Sequence, residues 1–394
     1  MADTTRPAPG SDGLYLALLW LIGVQLRLTI LAVPPVLPLI HRDLALSEKA
    51  IGVLSSGPVL LLALAAVPGS LMVARLGARR GCILGLAIVA AAGAARGLGP
   101  SAPLLFVMTL AMGVGVALMQ PTLPSLVSEW FPTRTGFATA IYGNGLLIGE
   151  AVPAALTIPF VLPWVGGSWE WSFTVWSLPV AATLLLLAVA TPHRERARAP
   201  QDYHWWPDWR GALPVGMLLG GTAGMYFLCN AFLPDYLHAV GRPDLVSASL
   251  GALNIAQVPA SAVTLAFSRQ LVGNRAILIA SPLAAAAGIV TVIWLPELVV
   301  AAAGLIGFCC GVQLIASLAL PPLLATTDDV HRLSAGTFAI GYLIGFATSP
   351  IGGAIWDATG VPATAFIAGG LAAALVIGAS QMLRIAPAGS APRR

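Results

Sequence analysis

Long apolar stretches separated by short polar breaks dominate the chain, and almost none of them alternates residue by residue. Twelve such segments occupy approximately residues 14–38, 50–74, 81–98, 103–127, 136–160, 172–190, 211–233, 246–267, 276–295, 298–323, 335–356 and 362–384. A run of about 18 or more apolar residues is long enough for a helix to cross the roughly 30 Å hydrocarbon core of a bilayer. Membrane-spanning β-strands show short alternating segments instead. The pattern therefore predicts helices, whose backbone polar groups are satisfied within the segment. The expected fold is an all-α integral membrane protein with twelve transmembrane helices in two pseudo-symmetric bundles of six.

One connection stands out. Thr191 to Arg210 is polar and proline-containing, and it separates six apolar segments from six more. The expected organisation is a disordered head (1–13), an N-terminal bundle (14–190), a cytoplasmic linker (191–210), a C-terminal bundle (211–385) and a basic tail (386–394). The halves also resemble each other weakly. Leu37-Pro38 returns as Leu233-Pro234, Gly77 as Gly273, Arg79 as Arg275 and Gly115 as Gly311, all at one offset, with Tyr142 and Tyr342 close to it. Ordered matches at a constant shift argue for a duplicated six-helix unit.

Composition agrees: 58% of the 394 residues are hydrophobic and 9% charged, with a mean hydropathy of +0.87, where soluble chains carry about 25% charged residues. In such a chain a net charge of +4 does not point to nucleic acid. The basic residues orient the protein, since cytoplasmic loops are enriched in Lys and Arg. A cytoplasmic N-terminus places Arg6, Arg75, Arg79, Arg80, Arg134, Arg194, Arg196, Arg198, Arg210, Arg269, Arg275, Arg332, Arg384, Arg393 and Arg394 inside, and only Arg42, Lys49, Arg96 and Arg242 outside. Both termini are then cytoplasmic, and the expected location is a bacterial inner membrane. Trp130, Trp164, Trp169, Trp171, Trp206, Trp294 and Trp356 fall near segment ends, as an aromatic belt requires.

Some chemistries are excluded. Cys82, Cys229, Cys309 and Cys310 lie in or at the edge of apolar runs, which suits packing better than a disulfide framework or a metal knuckle. The first segment is too long for a signal-peptide core and is expected to stay in the mature chain. His41, His193, His204, His238 and His331 fall in predicted loops or segment ends, so no intramembrane histidine relay is expected. There is no phosphate-cradling loop, zinc spacing, nucleophile motif or ATP-binding domain, so no cofactor, metal or enzymatic activity is expected, and any driving force comes from gradients.

The loop Gly69-Ser70-Leu71-Met72-Val73-Ala74-Arg75-Leu76-Gly77-Ala78-Arg79-Arg80 resembles the signature of the major facilitator superfamily, with Arg75, Gly77, Arg79 and Arg80 as its loop residues and Ala74 where that signature has an acid. Within that superfamily three stretches are similar to the cyanate and nitroimidazole transporter-like group: QLRLTILAVPPVLPLI, LPSLVSEWFPTRTGFATAIYGNGLLIG and YFLCNAFLPDYL. The arginine of the first and the Trp-Phe-Pro-x-Arg-x-Gly loop (Trp130 to Gly136) of the second carry the likeness. The resemblance implies two six-helix halves related as a parallel duplication, alternating access, and a midplane site between the halves. It also implies small anionic or weakly polar substrates.

Of the charged residues, only Arg27 and Glu150 are expected deep in segments, each about halfway along. Intramembrane charges are costly and mark function by default. Arg27 is expected to bind an anionic substrate. Four readings of Glu150 stay open: it pairs with Arg27 in the empty state, it carries a coupling proton, the two form a permanent structural pair, or Glu150, beside Gly149 and Pro153, faces a helix contact. Helical spacing puts Trp20, Gly23 or Val24, Arg27 and Leu31 on one face, so the indole of Trp20 is expected to shelve either the guanidinium or a flat substrate. Gln120, Tyr142, Tyr226, Asn230, Asn254, Gln257, Gln313 and Tyr342 complete the candidate substrate site, although single buried Asn, Gln and Tyr side chains also serve as contacts between helices. Pro34-Pro35 is expected to disturb the outer end of the first helix, and Gly113-x-Gly115 and Gly145-x3-Gly149 to allow close helix approach. The expected protein is a monomeric secondary transporter in the lipid bilayer with a small-molecule substrate, moved either by coupling to protons as a partner or by exchange. A proton-driven exporter of drug-like molecules and a sensor without net transport are the alternatives.

Overall fold

The computed structural model describes residues 12–64, 76–131, 135–191, 208–271, 274–324 and 330–383. Most of the head and linker, Arg75 of the signature loop, and the basic tail lie outside them. The principal helices are α1 (Asp12–Leu31), α2 (Glu48–Leu64), α3 (Ala78–Ala95), α4 (Ala102–Met119), α5 (Thr135–Leu156), α6 (Trp169–Ala190), α7 (Trp209–Ala239), α8 (Val246–Ile255), α9 (Arg275–Trp294), α10 (Val299–Leu318), α11 (Val330–Thr359) and α12 (Ile367–Met382). Polar residues start several of them. Ser168 accepts from Trp171 N at 3.1 Å, Asp208 from Gly211 N at 3.1 Å and Asn274 from Ala276 N at 2.9 Å, each satisfying a donor that the first helical turn leaves free. Eleven described helices are long and apolar enough to cross a membrane. The other expected span is α2, which has 17 described residues before the chain enters residues 65–75.

Interruptions fall at prolines or polar groups. After α1 the chain passes through a 3-10 turn at Pro34–Val36 into a short helix, Leu37–Leu44, as the proline pair predicts. α8 breaks at Ala256 and resumes as Gln257–Ala266, so Gln257 opens the second piece. α5 ends in a π-turn at Thr157–Val161, where Thr157 Oγ1 donates to Pro153 O at 2.6 Å and accepts from Trp176 Nε1 at 3.0 Å. α7, by contrast, continues unbroken through Pro234 to Ala239. The segment expected to stop at residue 233 is therefore longer, and Asp235 lies within the helix.

The packing repeats. α1 lies on α5 as α7 lies on α11; α2 meets α4 as α8 meets α10; α3 meets α4 and α6 as α9 meets α10 and α12. The two most extensive contacts between the halves among the described residues are α2 with α11 and α5 with α8, and exchanging the halves converts one into the other. That is the pairing a pseudo-two-fold axis requires. At the end of the bundle that the charge bias predicts to be outer, the halves are held together. Asp357 of α11 accepts from Glu48 N and Lys49 N of α2, each at 2.9 Å, and so caps a helix of the other half. Gly353 sets its Cα against Glu48 O, and Gly52 against Ser349 O, contacts that leave no room for a side chain.

Candidate functional site

The site begins with three glycines. A Cβ on Gly23 of α1 would strike Tyr142 O of α5, and a Cβ on Gly145 or Gly149 of α5 would strike Trp20 O or Val24 O of α1. With no side chain in the way the two backbones touch, which is the close approach that small residues permit. This contact brings Arg27 and Glu150 to one level. Arg27 Nε lies 3.1 Å from Glu150 Oε1, with both residues buried. The second carboxylate oxygen, Oε2, accepts from Gln257 Nε2 of the other half at 2.8 Å. The ion pair thus bridges the halves through one amide.

The pair does not satisfy the guanidinium. Nε meets its partner at ion-pair distance without hydrogen-bond alignment, and Nη1 is buried with no hydrogen-bond partner. Arg27 and Glu150 share a cavity of about 40 Å³ with Thr222, Tyr226, Phe227, Gln257 and Tyr342. At about 10–15 Å³ for each water, that is room for roughly three. The cavity therefore offers unpaired donor capacity, a buried positive charge and aromatic walls in a space matched to a very small solute.

The candidates divide accordingly. Tyr226, Gln257 and Tyr342 line the cavity, and Gln120 reaches it indirectly by donating to Tyr342 Oη at 3.0 Å. Asn254 and Asn230 stand behind the wall. Tyr226 Oη donates to Asn254 Oδ1, Asn254 Nδ2 donates to Asn230 Oδ1 at 3.0 Å, and Asn230 Nδ2 donates to Tyr226 O at 3.0 Å. This closed ring fixes the tyrosine. Trp20 shares a half with Arg27, but its Nε1 donates to Asn144 Oδ1 at 3.0 Å, and neither it nor Tyr142 forms part of the wall. Gln313 is also outside the wall, and its amide is buried without hydrogen-bond partners. In the signature loop, Gly77 takes a positive φ of 80° ahead of α3. Arg79 ties α3 to the end of α6 through Thr191 Oγ1 at 2.7 Å and Ala188 O at 2.8 Å, and Arg80 is exposed beside it.

Among the described residues, three charged ones depart from the sequence expectation that only Arg27 and Glu150 are deeply placed. Arg96, expected in an outer loop, is fully buried; its guanidinium sits 4.3 Å from the Phe173 ring centroid and donates to Thr29 O at 3.1 Å. Glu48 and Asp235 are buried beside His41 at the end that the charge bias predicts to be outer. The unbroken Leu-Pro-Asp-Tyr-Leu end of α7 was the available signal for Asp235; Arg96 and Glu48 follow apolar or polar neighbours in which nothing local foretells burial.

A sequence model of the Major Facilitator Superfamily matches residues 19–296. The chain belongs to that superfamily. This facilitator is similar to the cyanate transport protein CynX of Escherichia coli (strain K12), at 26% identity over 344 residues covering 84% of this chain and 86% of the relative. It is similar to the 2-nitroimidazole transporter of the same strain, at 27% identity over 346 residues covering 86% and 87%. Among solved structures it shares its fold with a D-xylose-proton symporter, at a TM-score of 0.75 and 13% identity over 95% of this chain and 98% of that one. The nucleoside transporter NupG gives a TM-score of 0.74 and 14% identity over 94% and 100%. The superfamily and these relatives are transporters, not enzymes, and the likeness to the cyanate and nitroimidazole group agrees with the motifs read from the sequence.

Proposed function

We propose that this facilitator moves a small monoanion or small polar molecule across the bacterial inner membrane by alternating access, as a monomer with both termini in the cytoplasm. The observation that carries this reading is the buried Arg27 guanidinium, with Nη1 unpartnered, in a cavity of about 40 Å³ between the halves. A compact anion satisfies Nη1 and competes with Glu150 for the guanidinium. Glu150, released from the pair, is free to take up a proton, so binding and protonation are linked. The names of the cyanate and nitroimidazole relatives fit substrates of this size. The aromatic walls, Tyr226, Phe227 and Tyr342, favour a second reading in which a flat, weakly charged azole stacks there and is exported.

Thermal-shift screening of the purified protein against cyanate-like ions, small organic acids and azoles separates the two, because a ligand that binds only the folded state raises its apparent stability. The expected best binder is anionic, and its shift disappears in Arg27→Gln. A neutral or cationic best binder whose shift survives Arg27→Gln refutes the anion reading. In proteoliposomes the Glu150→Gln variant is expected to retain exchange of labelled for unlabelled substrate and to lose accumulation driven by a pH gradient. Undiminished accumulation removes Glu150 from the coupling step.

A further inference from the structure

A second buried polar cluster lies away from the Arg27 cavity, where the halves close on each other at the outer end. His41 comes from the short helix Leu37–Leu44, Glu48 from the start of α2 and Asp235 from α7. His41 Nδ1 lies 3.5 Å from Asp235 Oδ2 and 3.7 Å from Glu48 Oε1, and one ligating atom from each residue fits within 4.8 Å of the other two. Glu48 and Asp235 are each only 7% exposed. Glu48 Oε2 and Asp235 Oδ2 are buried without a hydrogen-bond partner. The neighbouring carboxylate, Asp357, is already committed to the backbone N–H groups of Glu48 and Lys49.

This arrangement is poorly explained as a closed set of ion pairs. The contacts of His41 are longer than hydrogen bonds, and one imidazole faces two buried carboxylates with a third close by. Buried carboxylates side by side repel unless a cation or a proton intervenes. The spacing suits three ligands around one ion. Nitrogen and oxygen ligands about 2.0–2.1 Å from a tetrahedral zinc ion stand about 3.4 Å apart, close to the two distances observed. One imidazole with two carboxylates is a donor set for a zinc-type ion, whereas Mg2+ and Ca2+ prefer all-oxygen shells of six or more ligands. The His41 side chain is 33% exposed, which leaves an entry path and a fourth position for water.

We propose that His41, Glu48 and Asp235 form a divalent-cation site of the zinc class that joins the N-terminal half to the C-terminal half at the outer end. Because the ligands come from both halves, the ion binds the arrangement with this end closed and shifts the population toward it. No zinc spacing exists in the sequence, since the ligands are brought together from residues 41, 48 and 235 only by the packing of α7 against the first two segments.

The test uses the full chain in detergent with any affinity tag removed. Zn2+ and, separately, Mg2+ are titrated while thermal unfolding is followed, and Zn2+ stoichiometry is measured by competition with a chromophoric chelator. The expected result is saturable binding of one Zn2+ with a rise in Tm, and no rise with Mg2+. His41→Ala, Glu48→Gln and the nearly isosteric Asp235→Asn each weaken Zn2+ binding at least about tenfold, as loss of a ligand or its support does. Asp244→Asn, an exposed carboxylate at the same end, leaves it unchanged. Variants are compared only where their metal-free Tm shows that they have folded, and the three substitutions differ enough in size and charge that a folding defect in one leaves the others informative. Absence of saturable Zn2+ binding overturns the proposal. So does binding that persists undiminished in the folded variants. Neither outcome depends on which substrate is carried or on the role of Arg27.

Discussion

Two polar clusters join the halves of this transporter, and they are built on opposite electrostatic plans. At the centre one cation faces one anion, Arg27 and Glu150 at 3.1 Å, and Gln257 of the other half holds the carboxylate's second oxygen. At the end predicted to be outer a single imidazole faces Glu48 and Asp235, with Asp357 capping α2 beside them. The central cluster is balanced in charge and keeps a spare donor, Nη1. The outer one has an excess of acid and keeps spare acceptors, Glu48 Oε2 and Asp235 Oδ2. Burial alone does not separate the two, since every acidic member of both clusters except Asp357 is below a tenth exposed. The balance of charge does: a donor is spare at the centre and acceptors are spare at the rim, which is the difference on which the proposed anion and cation sites rest.

The contrast is open to breaking. The largest effect is expected from Glu150→Ala, which leaves the Arg27 guanidinium buried without its counter-ion; removing one partner of a buried pair costs about 3–5 kcal/mol. The double variant Arg27→Gln with Glu150→Gln is expected to recover most of that loss. Glu48→Gln should change metal-free stability by less than about 0.5 kcal/mol, or raise it, because it removes one of several like charges. Chemical unfolding of the four proteins checks this ordering. Equal losses at the two sites would mean that the outer cluster is as closed a charge set as the central one.

A smaller effect separates contacts that are permanent from contacts that must part. Gly149→Val places a side chain against Val24 O within one half, and Gly353→Val places one against Glu48 O across the two. Forcing extra methyl groups into tight packing costs about 1–3 kcal/mol, so Gly149→Val is expected to lower Tm directly. In Gly353→Val the halves separate instead, relieving the strain. The expected signature is a smaller loss of Tm and faster labelling of a cysteine placed at Ser349 by a membrane-impermeant maleimide. Unchanged labelling would place that contact among the permanent ones.

Much of this architecture was legible from residue order alone. Long apolar runs predicted the spans, the Pro34-Pro35 pair predicted the break after α1, and the charged positions Arg27 and Glu150 were singled out because mid-segment charges are rare. Gln257, Tyr226 and Tyr342 also emerged as polar residues within apolar runs. Their sorting into wall and support did not, because Asn254 and Asn230 carry the same polarity and differ only in facing Tyr226 instead of the cavity. Trp20 has the spacing that places it on the Arg27 face, yet it is taken by Asn144, a partner that helical periodicity cannot name.

The residue order determined where the long apolar helices form and singled out Arg27 and Glu150 as mid-segment charges, since transfer into hydrocarbon depends on each segment's own composition; the burial of Arg96, Glu48 and Asp235 was decided by packing. Only the tertiary structure decided which polar groups meet. Glu150 finds Gln257 across 107 residues and Asp357 caps Glu48 across 309. Such encounters depend on how glycine-lined helix faces seat against one another, a property of pairs of segments and not of either segment alone.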